Sequence, residues 1–231
     1  MTLDRLSVDL AVRALRPDFT VCALAIAGLS NGSTDAQSEG WLQDAEAQTR
    51  AAGPAVLPAH AAAWQDAYRA FGAKPQRTAS SVEALWRRAA GPGLPRVNWL
   101  VDLYNAVSVM HGLPVGGEDL EAFVGPIRLI RATGGETFDT IKDGQPVNDP
   151  PAPGEVVWAD DFGVTCRRWN WRQGTRTRLT EQSTSSLFLL ERLEPMPLEA
   201  LDAAADALVA MIRTRLPDVA VTRRRLGPGG S

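Results

Sequence analysis

Two cysteines and two histidines are all that the 231 residues offer for soft metal ligation. Cys22, Cys166, His60 and His111 are scattered, and neither cysteine has a CxxC neighbour, so the usual His/Cys zinc set is excluded and no metal or cofactor is expected. No apolar run reaches the roughly 18 residues that cross a bilayer. The opening "MTLDRLSVDL" has neither a basic leader nor a long apolar core, so the expected location is the cytoplasm, with no membrane partner. Phosphate loops are missing: there is no GxxxxGK[ST] and no GxGxxG after a strand, which removes ATP and hydride chemistry. Cys166 has no histidine partner in sequence. The formal net charge of -3 supplies no global field toward nucleic acid, so any such contact must come from a local patch.

What is present is a chain that is 45% hydrophobic, enough to bury a substantial core. "FTVCALAIAGL" (19–29) reads as a buried strand ended by the turn "SNGS". Helical patterns follow in "STDAQSEGWLQDAEAQTRAAG" (33–53), "PAHAAAWQDAYRAFGA" (58–73) and the Ser-capped "SSVEALWRRAAGPG" (80–93). Beyond about residue 124 the pattern changes to short strand-like pieces: "IRLIRAT", "GEVVWADD", "VTCRRWNWR", "TRTRLT" and "SSLFLLERL". An amphipathic helix, "LEALDAAADALVAMIRTRL", and the strand-like "DVAVTRR" close the chain. This order predicts an α+β fold, one domain over 1–225 with mixed or antiparallel sheet and flanking helices, and a flexible tail over 226–231. "DGQPVNDPPAPGE" (143–155) reads as a loop excursion within that domain.

"NWLVDLYNAVSVMHG" (98–112) is predicted to be an amphipathic helix whose polar face carries Asn98, Asp102, Asn105 and Ser108. Short amides, a hydroxyl and one carboxylate are poor helix formers and unusual on a solvated face. Two compatible readings follow. Either the face is buried and braces neighbouring loops, or it grips a ligand, since Asn offers both a donor and an acceptor.

Two further stretches carry candidate chemistry. In "GGETF" (134–138), Gly134 and Gly135 before Glu136 expose amides suited to an oxyanion, although a plain hairpin turn fits as well. In "WADDFGVTCRRWNWRQGTRTRLT" (158–180), a strand would point Arg168, Asn170 and Arg172 one way and Arg167, Trp169 and Trp171 the other. Interleaved arginine and indole can clamp phosphates and stack bases. The alternative is an edge strand whose indoles enter the core and whose arginines pair with Asp160, Asp161 and Glu181.

Taken together and in order, "ASSVEALWRR", "VDLYNAVSVMHGLPVGGEDLE", "GGETF", "PGEVVWADD" and "RRWNWRQGTRTRLTEQSTSSLFLLE" resemble the stand-alone relatives of the B-three/B-four tRNA-binding and editing domain of the bacterial phenylalanyl-tRNA synthetase beta subunit. The resemblance spans roughly 75–193. It implies an α+β fold, binding of the aminoacylated 3′ end of tRNA, and hydrolysis of the mischarged amino acid. A histidine follows the proline of the corresponding turn in that domain, whereas "GLPVGGED" carries Gly116; one substrate-contacting side chain is lost, and tyrosine specificity does not carry over. The expected activity is therefore trans-editing by an aminoacyl-tRNA deacylase that is no ligase, with tRNA and the amino acid moiety as partners. A non-catalytic tRNA-binding adaptor and a small-ligand module on the same scaffold are the rivals. Expected catalytic residues are Asn98, Asp102, Asn105 and Glu136, acting on a positioned water with backbone amides of Gly134 and Gly135 at the oxyanion. Arg167, Arg168, Trp169, Asn170 and Arg172 are expected to bind tRNA. Ser108, Gly116, Gly134, Gly135, Asp160 and Thr180 are expected around the substrate.

Overall fold

Helices α1, α2, α4 and α5, placed below, begin where the sequence supplies a side-chain cap. The structure, a computed structural model, describes residues 3–53 and 60–228. After β1 (Leu6–Val8) and the short α1 (Leu10–Leu15), which Asp9 caps, β2 (Thr20–Ala27) forms from the first apolar run. Helix α2 (Ala36–Ala52) starts with a capping box between Asp35 and Ser38. Next come α3 (Ala61–Ala70) and α4 (Ser81–Ala90), the latter capped by the Ser80 hydroxyl. Helix α5 (Trp99–His111) starts at Asn98, whose side chain accepts from the Val101 amide, and stops at Gly112 in the left-handed conformation, φ 69°. Helices α2 to α5 are where the pattern places them, although residues 58 and 59 of the expected pattern over 58–73 lie outside the described residues.

The second half supplies β3 (Val115–Asp119), β4 (Ile127–Arg131), β5 (Asp139–Lys142), β6 (Gln145–Asn148), β7 (Val156–Ala159), β8 (Val164–Arg167), β9 (Arg172–Gln173) and β10 (Ser185–Arg192). Helix α6 (Leu198–Arg213) and β11 (Ala220–Leu226) follow; of the expected tail, residues 229–231 lie outside the described residues. One sheet runs β1-β4-β7-β8-β9, parallel only at β1/β4, and the other is antiparallel in the order β11-β2-β10-β3. The fold is α+β with mixed and antiparallel sheet.

Three sequence readings need correction. The stretch taken as a loop contains half of the β5/β6 hairpin, turned at Asp143 and Gly144 with φ of 52° and 77°. Asp-Gly is a strong two-residue hairpin signal because both positions tolerate positive φ. "TRTRLT" is no strand and contributes only an isolated bridge from Arg178 to Glu118. Third, "RRWNWR" is not continuous: β8 ends at Arg167, and Arg168 and Trp169 adopt φ of 46° and 67° to form a turn into β9.

The four-stranded sheet is covered on both faces, which explains why β2 reads as an unbroken apolar run. Val21 and Ala23 of β2, with Leu187 and Leu189 of β10, pack toward Ile127, Leu129 and Trp158 of the five-stranded sheet and Trp64 of α3. Cys22, Leu24 and Ile26, with Phe188 and Leu190, pack beneath Leu103 and Val107 of α5 and Leu201, Ala205 and Leu208 of α6. On its outer side α5 meets α2 and α4 through Ala106, Val109, Leu42, Ala45 and Trp86. Surrounded in this way, α5 has almost no solvent face.

Candidate functional site

Burial of α5 decides what its polar stripe does. Asn98 caps the helix, accepts from Asn31 Nδ2 at 3.1 Å and donates to the Leu179 carbonyl at 3.2 Å. Asp102, fully buried, accepts from the Val97 amide at 2.8 Å and from the hydroxyls of Thr34 and Ser38 at 2.5 and 3.3 Å. Ser108 donates to the Leu113 carbonyl at 2.7 Å. These three side chains brace the loops before and after the helix. Asn105 differs: it is 6% exposed, makes no side-chain hydrogen bond among the described residues, and lines a cavity of about 350 Å³.

That cavity lies where α4, α5, β3, β10 and the β8–β9 turn converge. Its apolar wall includes Leu85, Val97, Val101 and Leu189, and Trp158, Trp169 and Trp171 contribute to the other side. Gly116 of β3 also lines it, and a Cβ there would meet nothing within 4 Å. Its neighbour Gly117 is the opposite case: a Cβ would stand 2.7 Å from Tyr104 Cε1, so only glycine lets α5 approach β3 this closely. The hydroxyl oxygen of Ser81, at the start of α4, is buried against the cavity without a partner.

Two glutamates complete the lining. Glu118 of β3 accepts from the Thr165 and Thr177 hydroxyls, and Glu191 of β10 accepts from Trp158 Nε1 at 2.8 Å and Asn170 Nδ2 at 2.7 Å. Tyr68 of α3 in turn donates to Asn170 Oδ1 at 2.8 Å. Burial raises both acids: Glu118 to about 7, against the pull of its two threonine donors, and Glu191 to about 8, against Asn170 and Trp158 and with added repulsion from Glu118. Carboxyls in a cavity that titrate near neutrality mark a functional-site candidate. Sequence reasoning passed over both. "GGED" and "LLE" drew attention to glycine and strand pattern, and a glutamate flanked by apolar residues on a strand facing inward was the signal available.

The expected arginine and indole face is divided by its turn. Arg167 points inward, bidentate to Glu155 at 2.8 Å and bonded to Asp149 at 2.6 Å. Trp169 is fully buried among Phe19, Trp64 and Phe71. Asn170 and Trp171 face the cavity. The guanidiniums of Arg168 and Arg172 lie 4.4 and 4.3 Å from the Trp171 ring centre. Arg168 also reaches Thr78 Oγ1 at 2.6 Å and, with Lys74 and Arg77, lines a second cavity of about 260 Å³. The turn between β8 and β9 therefore lines both cavities, one through Arg168 and the other through Trp169, Asn170 and Trp171.

The remaining expected residues lie elsewhere. Glu136 accepts from the Thr133 amide and hydroxyl and the Gly134 amide, which hold its carboxyl below the usual range despite some burial. The Gly135 amide points to Thr133 Oγ1 at 3.4 Å. The glycine amides are thus spent within their own turn, and the oxyanion role expected of them does not fit. Asp160 is closed off by the amides of Val124, Phe162 and Gly163 and by Arg176. Thr180 sits on an exposed turn with Ser183.

Residues 63–214 match the family described as the B3/4 domain, a wider span than the motifs alone delimit. Among solved structures, an N-terminal fragment of the phenylalanyl-tRNA synthetase beta subunit from Pyrococcus horikoshii is similar, with 12% identity and a TM-score of 0.48. The match covers 94% of this chain and 49% of that one, so the chain spans about half the fragment's length. Curated proteins give no match.

Proposed function

The chain belongs to the B3/4 domain family, and we propose that it is an aminoacyl-tRNA deacylase, releasing a mischarged amino acid from the 3′ end of tRNA. The observation that carries this reading is the cavity of about 350 Å³ with the unpaired Asn105 amide in its wall. An amide that has no protein partner and opens into a cavity is available to a ligand rich in acceptors and donors. An aminoacyl ester is such a ligand.

In this reading the amino acid side chain occupies the apolar end beside Leu85, Val97 and Val101. The Asn105 amide donates to the ester carbonyl oxygen as it becomes an oxyanion. Water adds to the carbonyl carbon, the bond to the ribose oxygen breaks, and the water's proton ends on that oxygen. The ester's good leaving group means that positioning supplies much of the rate. Outside the cavity the 3′ nucleotides run past Trp171 and Arg172, and phosphates enter the basic cavity of Lys74, Arg77 and Arg168.

The test is incubation of the protein with a panel of mischarged tRNAs, scoring free amino acid. Release from at least one species, lost in Asn105→Ala, is the expected result. Tight tRNA binding with no release from any species supports the adaptor reading instead, and neither binding nor release defeats both.

A further inference from the structure

A third cavity, of about 310 Å³, opens at the far end of α5 from the one that holds Asn105. Three separate segments meet there: the last turn of α5 with Met110 and His111, the residue before α3, His60, and the connection from β10 into α6 with Met196. The chain has two histidines and four methionines, so both of the former and half of the latter line one cavity. Its other polar lining is the Gln48 amide and the Trp86 indole, and no carboxylate or cationic side chain of the described residues lines it.

The fold alone leaves His60 unexplained. It is 2% exposed, its side chain makes no hydrogen bond among the described residues, and its Nε2 is buried without a partner. Buried polar atoms are ordinarily satisfied. Burial holds His60 down to about 4, with added repulsion from Arg192, and lowers His111 as well, so near pH 7 both imidazoles are neutral and keep a lone pair free. Two placements bring the donors within reach of one another. Met110 and His111 are consecutive, and Arg192, whose charge acts on His60, donates from Nε to the Met196 carbonyl. Methionine has three rotatable bonds, which let its sulfur close the remaining gap.

We propose that His60, His111, Met110 and Met196 form a binding site for a soft monovalent ion, Cu(I), with the Trp86 ring in its wall. Thioether and imidazole are ligands that suit copper, and thioether selects its Cu(I) form, whereas Mg²⁺, Ca²⁺ and Mn²⁺ call for carboxylates that the lining lacks. A neutral donor set in an apolar wall also favours a single charge, because no anion is there to offset a second. Trp86, 7% exposed with its Nε1 unpartnered, contributes the aromatic ring that attracts cations best. Histidine and cysteine spacing passes over such a set, since two members are thioethers and the four come from three segments. The site is independent of the deacylase reading.

The test is anaerobic titration of the untagged full chain with Cu(I), kept reduced by ascorbate and competed against bathocuproine disulfonate, with Zn(II) in parallel. One Cu(I) per chain should bind, at least about 100-fold tighter than Zn(II), and the melting temperature should rise with it. X-ray absorption should show sulfur beside imidazole nitrogen around the ion. Met110→Leu with Met196→Leu conserves volume and should keep the fold, yet should weaken Cu(I) at least about 10-fold; His111→Gln should do the same. Cys22 and Cys166 are the competing soft donors, and Cys22→Ala with Cys166→Ala should leave binding unchanged. No Cu(I) withdrawn from the chelator, binding lost with the cysteines, or binding indifferent to the methionine pair and to His111 overturns the proposal. Deacylation is scored on the tRNA panel without copper, so either result stands without the other.

Discussion

The indole N–H of Trp158 donates to Glu191 at 2.8 Å, joining β7 of the five-stranded sheet to β10 of the four-stranded one. A cavity acid thereby sits on the seam between the sheets, where its ionisation acts on the stability of the whole fold.

Stability should fall as pH rises from 5 to 8. Both acids have folded pKa values raised above the ordinary 4.5, to about 7 and about 8, so the native state holds more protons than the unfolded one between those limits. The contribution is fully present below about pH 4.5 and is lost as pH rises through the folded values. Glu118→Gln with Glu191→Gln should flatten this slope. A melting temperature in wild type that is flat or rising over this range counts against the assignment.

Along α5, loss of function and loss of stability should separate by position. Asn105→Ala should lower deacylation about 100-fold to 1,000-fold, the usual cost of an oxyanion donor, with little change in melting temperature. Asp102→Ala should instead cost about 2 to 4 kcal/mol in urea unfolding, because it strands the Val97 amide and the Thr34 and Ser38 hydroxyls. If Asp102→Ala folds as well as wild type, the bracing account fails.

Neighbouring glycines should respond in opposite ways. Gly116→Ala should be silent in stability and Gly116→Phe should block the cavity, since the added atoms enter open space. Gly117→Ala should destabilise by about 1 to 3 kcal/mol through overpacking against Tyr104. Denaturant midpoints for the three variants, with activity for the second, decide the matter.

Within the basic turn, Arg167→Ala should cost about 3 to 5 kcal/mol by taking the bidentate partner from buried Glu155, which keeps only the longer 3.6 Å pairing with Arg168. Arg172→Ala, at an exposed position, should leave stability alone and reduce the salt slope of tRNA binding by about one. A salt slope unchanged by Arg172→Ala removes this residue from the nucleic-acid interface.

Periodicity made the long elements legible. The apolar run of β2 and the caps at Ser80 and Asn98 are local properties, and local physics placed them. The stripe on α5 was visible, but whether it braces or binds depended on which loops return to it, and those come from residues 31, 34, 38 and 179. Alternation failed at Arg168 and Trp169 because two consecutive residues take left-handed backbone, which no side-chain pattern announces. Glu118 and Glu191 escaped notice for a related reason. An acid becomes unusual only when tertiary packing removes its water and supplies no cation, and sequence spacing carries neither fact.

Strand β2 is made early, at residues 20–27, yet both strands that flank it are made late, at 185–192 and 220–226. On a ribosome adding about 5 to 20 residues per second, its apolar residues wait roughly 10 to 30 s before the first partner exists. Through that interval both edges of the strand are open to other chains. Any truncation before residue 185 would make the wait permanent, so nonsense fragments of this protein should be recovered in aggregates or bound to chaperones, whatever activity the intact cavity has.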